Sequence, residues 1–116
     1  MALELNRAAF DQAAELIWDG HYRLNVNWHE ASPSVAAEDT FIAEHGWTEF
    51  ANWYLIIDTT WKENTKMRYH YPLGNYRTVI REGVLAARDY AAKAGLADIE
   101  DAAETLLGLF DKLNAC

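Results

Sequence analysis

Two apolar helical stripes near the C-terminus are separated by only two residues, and that short gap constrains the fold more than any other feature. Residues 76–95, "YRTVIREGVLAARDYAAKAG", read as a long helix capped by Asn75 and ended by Gly95. Beyond them Asp98 is placed to cap a last helix, in which Ile99, Ala102, Ala103, Leu106, Phe110 and Leu113 recur at spacings of three and four. Helices joined this tightly must fold back on each other, so an antiparallel αα-hairpin is expected. Gly83 costs about 1 kcal/mol in a helix relative to alanine. In "REGVLAAR", with Ala86, Ala87 and Ala91, it is expected to let the last helix approach closely.

Ahead of the hairpin the apolar period changes twice. "LNRAAFDQAAELIWDG" carries Phe10, Ala13, Ala14, Ile17 and Trp18 at helical spacing, with Asn6 as cap and Gly20 as stop. In "HYRLNVNWHE", Tyr22, Leu24, Val26 and Trp28 alternate with polar residues, which predicts a strand with one buried face. Ser34 can cap a short helix that ends at Gly46. Trp53–Asp58 reads as a strand with Trp53, Leu55 and Ile57 inward, and "TTWKENT" as polar loop. "KMRYHY" alternates again, placing Met67, Tyr69 and Tyr71 inward and Lys66, Arg68 and His70 outward, before Pro72 and Gly74 close it. These two strands can pair as an antiparallel hairpin. The expected fold class is α+β: a small antiparallel β-sheet of two or three strands against about four helices, in a single globular domain over residues 1–116.

A chain of 116 residues that is 51% hydrophobic and 13% aromatic can bury a core without disulfides or metals. Neither an apolar run of membrane-spanning length nor a basic-then-apolar leader is present, so a soluble, cytoplasmic protein with no membrane partner is expected. The lone cysteine, Cys116, permits no internal disulfide and receives no role.

The formal charge of −8 argues against nucleic acid as a partner, because that affinity comes from neutralising phosphates. The charge is nonetheless segregated. Residues 1–61 sum to −8 and residues 94–116 to −4, whereas 62–93 sum to +4. Within that basic segment lies "TKMRYHYPLGNYRTVIR". Its residues Lys66, Arg68, His70, Asn75, Arg77 and Arg81 are the candidate ligand-binding set. Free N–H groups at a helix start on Asn75, with Arg77, Arg81 and Arg88 along one stripe, would hold a phosphate, a carboxylate or an acidic partner surface. The opposing reading pairs these cations with Glu82, Asp89 and other acids of the chain, leaving an ordinary solvated face.

For acid–base chemistry the candidates are His70 and Asp58, assisted by Arg68. Asp58 can equally cap the turn that follows its strand. Tyr69, Tyr71 and Tyr76 suggest a stacking platform for bases, although alternation favours core for Tyr69 and Tyr71. No HxxxH, HxH or cysteine pair is present, and the closest local pairings are His29–Glu30 and His45 with Glu49, so neither metal nor cofactor is expected. No phosphate loop, nucleophile elbow or dinucleotide fingerprint occurs. Trp61, beside Lys62 in the polar loop, is expected to be exposed. Three functions follow: an anion-binding or accessory protein, a small acid–base enzyme, or a structural subunit of a homo-oligomer.

The run "EHGWTEFANWYLIID", then "TKMRYHYPLGNYRTVIREGVLAAR" and "DIEDAAETLL", resembles a family of small stand-alone bacterial proteins of unassigned function, over roughly residues 40–113. The second half is also similar to a helical signature in some phage-derived head-maturation proteins. Neither resemblance implies catalytic residues.

Overall fold

The computed structural model describes residues 2–114, so Cys116 lies outside the described residues. Strand β1 (Leu3–Leu5) leads into helix α1 (Arg7–Trp18), then β2 (Tyr22–Arg23), α2 (Trp28–Ala31) and α3 (Val35–Ala51). Next come β3 (Tyr54–Asp58), β4 (Tyr69–Pro72), β5 (Val79–Ile80), α4 (Arg81–Ala94) and α5 (Ala97–Asn114). The architecture is α+β. Among the described residues no helix is long and apolar enough to cross a membrane.

The hairpin forms as its spacing demands. Gly95 ends α4 in the left-handed conformation at φ 72°, which spares it the penalty a side chain would incur. The α5 stripe is buried through Ile99, Ala102, Ala103, Leu106, Leu107 and Phe110, and α5 begins at Ala97, so Asp98 sits in its first turn. Leu113 falls off the end of the stripe and is exposed. The closest approach at Gly83 is that of Trp28. The absent Cβ of Gly83 would stand 2.9 Å from the Trp28 ring, so this glycine makes room for α2. Glu82 holds the same helix by accepting from the Trp28 backbone N–H at 3.0 Å.

Strands β1, β3 and β4 make an antiparallel sheet with β3 in the centre. Its neighbouring residues Trp53, Tyr54, Leu55 and Ile56 are all buried. Adjacent strand residues point to opposite faces, so both faces are covered there and the one-sided expectation for Trp53, Leu55 and Ile57 gives way. Ile57 is only half-buried. Asn6 makes no side-chain cap to α1. Its amide donates instead to the carbonyls of Ala51 (2.9 Å) and Tyr54 (3.0 Å), tying α1, α3 and β3 at one buried point.

Two expectations are corrected by local backbone geometry. The alternation over 21–28 survives as burial, with Tyr22, Leu24, Val26 and Trp28 inward of their neighbours, but only Tyr22–Arg23 finds a strand partner, parallel β5. Alternation reports faces and says nothing about whether a neighbouring strand exists. Gly46, by contrast, does stop its helix: at φ 85° and ψ 173° it leaves helical geometry, and a second short helical stretch, counted here within α3, follows the kink and runs to Ala51. Lys66–Arg68 forms a 3-10 turn rather than strand, which leaves Met67 54% exposed.

The largest difference concerns Asn75. Helix α4 starts at Arg81, five residues later than expected. Tyr76 sits at φ 68°, outside any helix, and Asn75 Oδ1 accepts from the N–H groups of Arg77 (3.1 Å) and Thr78 (2.8 Å). Residues 73–80 form a tight hairpin closed by Ile80 N–H to Leu73 O at 2.9 Å. Arg77 is therefore off the helix that carries Arg81 and Arg88.

Candidate functional site

The outer face of α3 meets the 75–77 turn to form a groove of about 460 Å³. From α3 come Ala36, Thr40, Phe41, Glu44 and His45, among others, and from the turn Asn75, Tyr76 and Arg77. Spacings of four along the helix place Ala36, Thr40 and Glu44 in one row and Phe41 and His45 in another. The Phe41 ring stacks on Tyr76 and on His45, each at 4.5 Å between centroids. His45 is steadied by Glu49 at 3.1 Å, the i,i+4 pair visible in the sequence.

The turn is held from beneath. The Tyr76 hydroxyl meets that of Tyr54 at 2.6 Å. Asn75 Oδ1 takes three donors, including the Thr78 hydroxyl at 3.1 Å. A positive φ is costly for a bulky residue such as tyrosine, and outliers of this kind cluster at active sites and ligand clamps.

Apart from Arg77, the candidate cations Lys66, Arg68, Arg81 and Arg88 reach separate partners. Lys66 pairs with Glu38 (3.3 Å) and Asp39 on α3, and those acids raise its pKa, the Asp39 hydrogen bond most of all. The Arg68 guanidinium donates to the Trp61 carbonyl at 2.8 Å. Arg81 approaches Asp111 at 4.0 Å, and Arg88 holds Asp89 (2.9 Å) and Glu104 (3.3 Å). Of the six candidate ligand-binding residues, Asn75 and Arg77 line the groove. Among the described residues the Arg77 and Glu44 side chains have neither an ion pair nor a hydrogen bond.

A second cleft, about 290 Å³, lies beside the sheet and holds His70 and Asp58. Register explains its membership. Leu3 pairs opposite Asp58, and Ile56 opposite His70, while Ile56 and Asp58 are two residues apart on β3. All four therefore share one face. Tyr71 should face away from His70, but its φ of 62° breaks the alternation and brings its ring into the same cleft, stacked on Tyr90 at 4.8 Å.

Asp58 stays ionised in this setting. The Thr60 backbone N–H, at 3.0 Å, is the main reason its carboxyl sits below the usual carboxylate range, with His70 adding to the effect. Asp58 thus does cap the turn after its strand. His70 Nε2 stands 3.9 Å from Asp58 Oδ2, too far for a hydrogen bond, and is itself buried without a hydrogen-bond partner among the described residues. Burial and the neighbouring Tyr90 raise the pKa of Tyr71. Arg68 is not among the residues lining this cleft.

Trp61 is exposed at 40%. Among the described residues no three histidine, cysteine, aspartate or glutamate side chains gather as a metal site would need. No protein family, curated protein or solved structure matches this chain. The site is therefore read from its own geometry.

The α3 half of the groove escaped the sequence reading. Thr40, Phe41 and Glu44 precede Arg77 by more than thirty residues, and no local pattern joins them to it. The available signal was Phe41, a large apolar side chain at four-residue spacing from His45 on a helix otherwise rich in alanine and acids.

Proposed function

We propose that this protein binds a small anionic ligand in the groove between α3 and the 75–77 turn. One observation carries the reading: Arg77 alone among Lys66, Arg68, Arg77 and Arg81 has a guanidinium or ammonium group without a partner in the chain, among the described residues, and it lies in the wider cleft. A guanidinium offers a carboxylate two parallel hydrogen bonds, and the adjoining ring column offers apolar area for the rest of the ligand. The groove also falls within the usual range for small-molecule sites, about 300–1,000 Å³.

Titration of the protein with 3-phenylpropionate, followed by NMR, tests this. Resonances of Arg77, Tyr76 and Thr40 should shift together and saturate. Arg77→Ala should weaken binding, and Arg81→Ala should leave it unchanged. Equal loss in both variants, or shifts scattered over the surface, would refute the assignment.

The His70–Asp58 cleft supports a second reading, acid–base chemistry on a small substrate. The observation favouring it is the buried Nε2 beside an ionised carboxylate, with two tyrosine rings and a strained backbone close by. Fragment binding that perturbs His70 and Tyr90 while sparing Arg77 would move the function there.

A further inference from the structure

Glu44 faces the same groove as Arg77, and among the described residues neither charge is met from within the chain. An anion bound at Arg77 would lie in a cleft that also holds an unpaired carboxylate. A ligand carrying a single negative charge gains one attraction there and meets one repulsion. A ligand carrying both charges satisfies both groups.

We infer that the groove takes a zwitterion, an α-amino acid with a flat aromatic side chain. Its carboxylate lies on the Arg77 guanidinium, its ammonium on the Glu44 carboxylate, and its ring against the column of His45, Phe41 and Tyr76. Among the described residues no ion pair joins Arg77 to Glu44, so each is open to its own group of the ligand. Thr40 precedes Glu44 by one helical turn and adds a hydroxyl on the same side of the groove. Rings prefer offset or edge contacts with other rings, which favours an aromatic side chain over an aliphatic one of similar size. This inference rests on the proposed anion site and adds the second charge.

The test compares L-phenylalanine, 3-phenylpropionate, 2-phenylethylamine and N-acetyl-L-phenylalanine on the wild-type protein, by NMR titration. Exposed charge pairs are individually weak, so a preference of about fivefold for phenylalanine over phenylpropionate is the expected size. N-acetylation, which removes the ammonium, should reduce phenylalanine to the level of phenylpropionate. Glu44→Gln should erase the preference, weakening phenylalanine and tightening phenylpropionate as the repulsion is removed, and Arg77→Met should weaken both carboxylates. Phenylpropionate binding as tightly as phenylalanine would overturn the zwitterion and leave the anion site standing. A preference that persists in Glu44→Gln would also overturn it. If neither carboxylate binds the wild type, both readings fail. The acetylated ligand tests the same point without any substitution, so the outcome does not hang on a variant's folding.

Discussion

The hydroxyl of Tyr54, on the central strand, lies 2.6 Å from the hydroxyl of Tyr76, on the strained turn. This bond links the core to the groove. Tyr54 is 3% exposed, so its hydroxyl has almost no access to water and depends on its partner. Tyr76 in turn carries the ring on which Phe41 stacks. Tyr54→Phe should cost roughly 1–2 kcal/mol, because it leaves a half-buried hydroxyl behind. Tyr76→Phe should cost a similar amount. The double substitution should cost less than the sum, by about 0.5 kcal/mol or more, since no hydroxyl is then stranded. Urea unfolding of the three variants checks this, and strict additivity would show that the bond is not formed in solution.

The same pair sets an alkaline limit. Burial pushes the Tyr76 hydroxyl from its ordinary 10.0 up to about 12, and burial together with Tyr76 raises Tyr54 as well. The native state therefore holds protons that the unfolded chain has lost. The stability this confers is fully present below about pH 10 and falls as pH rises through the native value near 12. Urea midpoints should drop from about pH 9 to about pH 11, and the drop should be shallower in the Tyr54→Phe/Tyr76→Phe protein. Identical slopes would place the alkaline loss elsewhere.

Gly74 is the position where the turn tolerates no side chain. A Cβ there would run into the Thr78 carbonyl and stand 2.9 Å from the Trp53 ring, and backbone cannot step aside as a flexible side chain can. Gly74→Ala should therefore cost about 2–4 kcal/mol, a size typical of buried clashes. It should also abolish ligand-induced shifts at Arg77, because the turn that aims Arg77 is displaced. A variant as stable as wild type would mean that the 73–80 hairpin is looser than its contacts imply.

What the sequence made legible divides along physical lines. The α4–α5 hairpin could be read because a two-residue gap leaves one geometry and because the stripe from Ile99 to Phe110 is long. Strand β3 could be read because its apolar run is continuous. The start of α4 could not: Asn75 is a good cap, yet its side chain closed a turn, and nothing local shows that Tyr76 adopts a positive φ. Strand β1 has three residues, too few for a period-two signal. The basic segment was legible as a cluster in sequence but not as ion pairs, because Glu38, Asp39 and Asp111 reach it only through tertiary packing. Asp58 and His70 were each named from sequence, and the β3–β4 register brings them to one face.

Asp58 offers a test of the second cleft. Its carboxyl is held below the usual range, first by the Thr60 N–H. A depressed carboxyl stabilises the fold above its unfolded value, and the contribution is lost as pH falls through the native one. Asp58→Asn should flatten the acid limb by lowering the neutral-pH midpoint modestly toward the acid value, since asparagine's amide oxygen can still accept from Thr60 but without the charge. A parallel acid limb in both proteins would mean that other carboxylates dominate it.

Phe110 is the sharpest test of the helical hairpin. It is 1% exposed and meets the Tyr22 ring edge-on at 5.2 Å, joining α5 to the segment that follows α1. Truncation to alanine removes most of a large buried ring and leaves a cavity, which costs about 3–5 kcal/mol in comparable cores. Total stability for a domain of this size is about 5–15 kcal/mol, so the variant should unfold at markedly lower urea. Leu113, three residues further along α5, is 37% exposed, and its replacement by alanine should cost under about 1 kcal/mol. The contrast between the two isolates burial from helix propensity, because alanine is the better helix former in both exchanges. Equal losses at Phe110 and Leu113 would show that α5 presents a different face to the core.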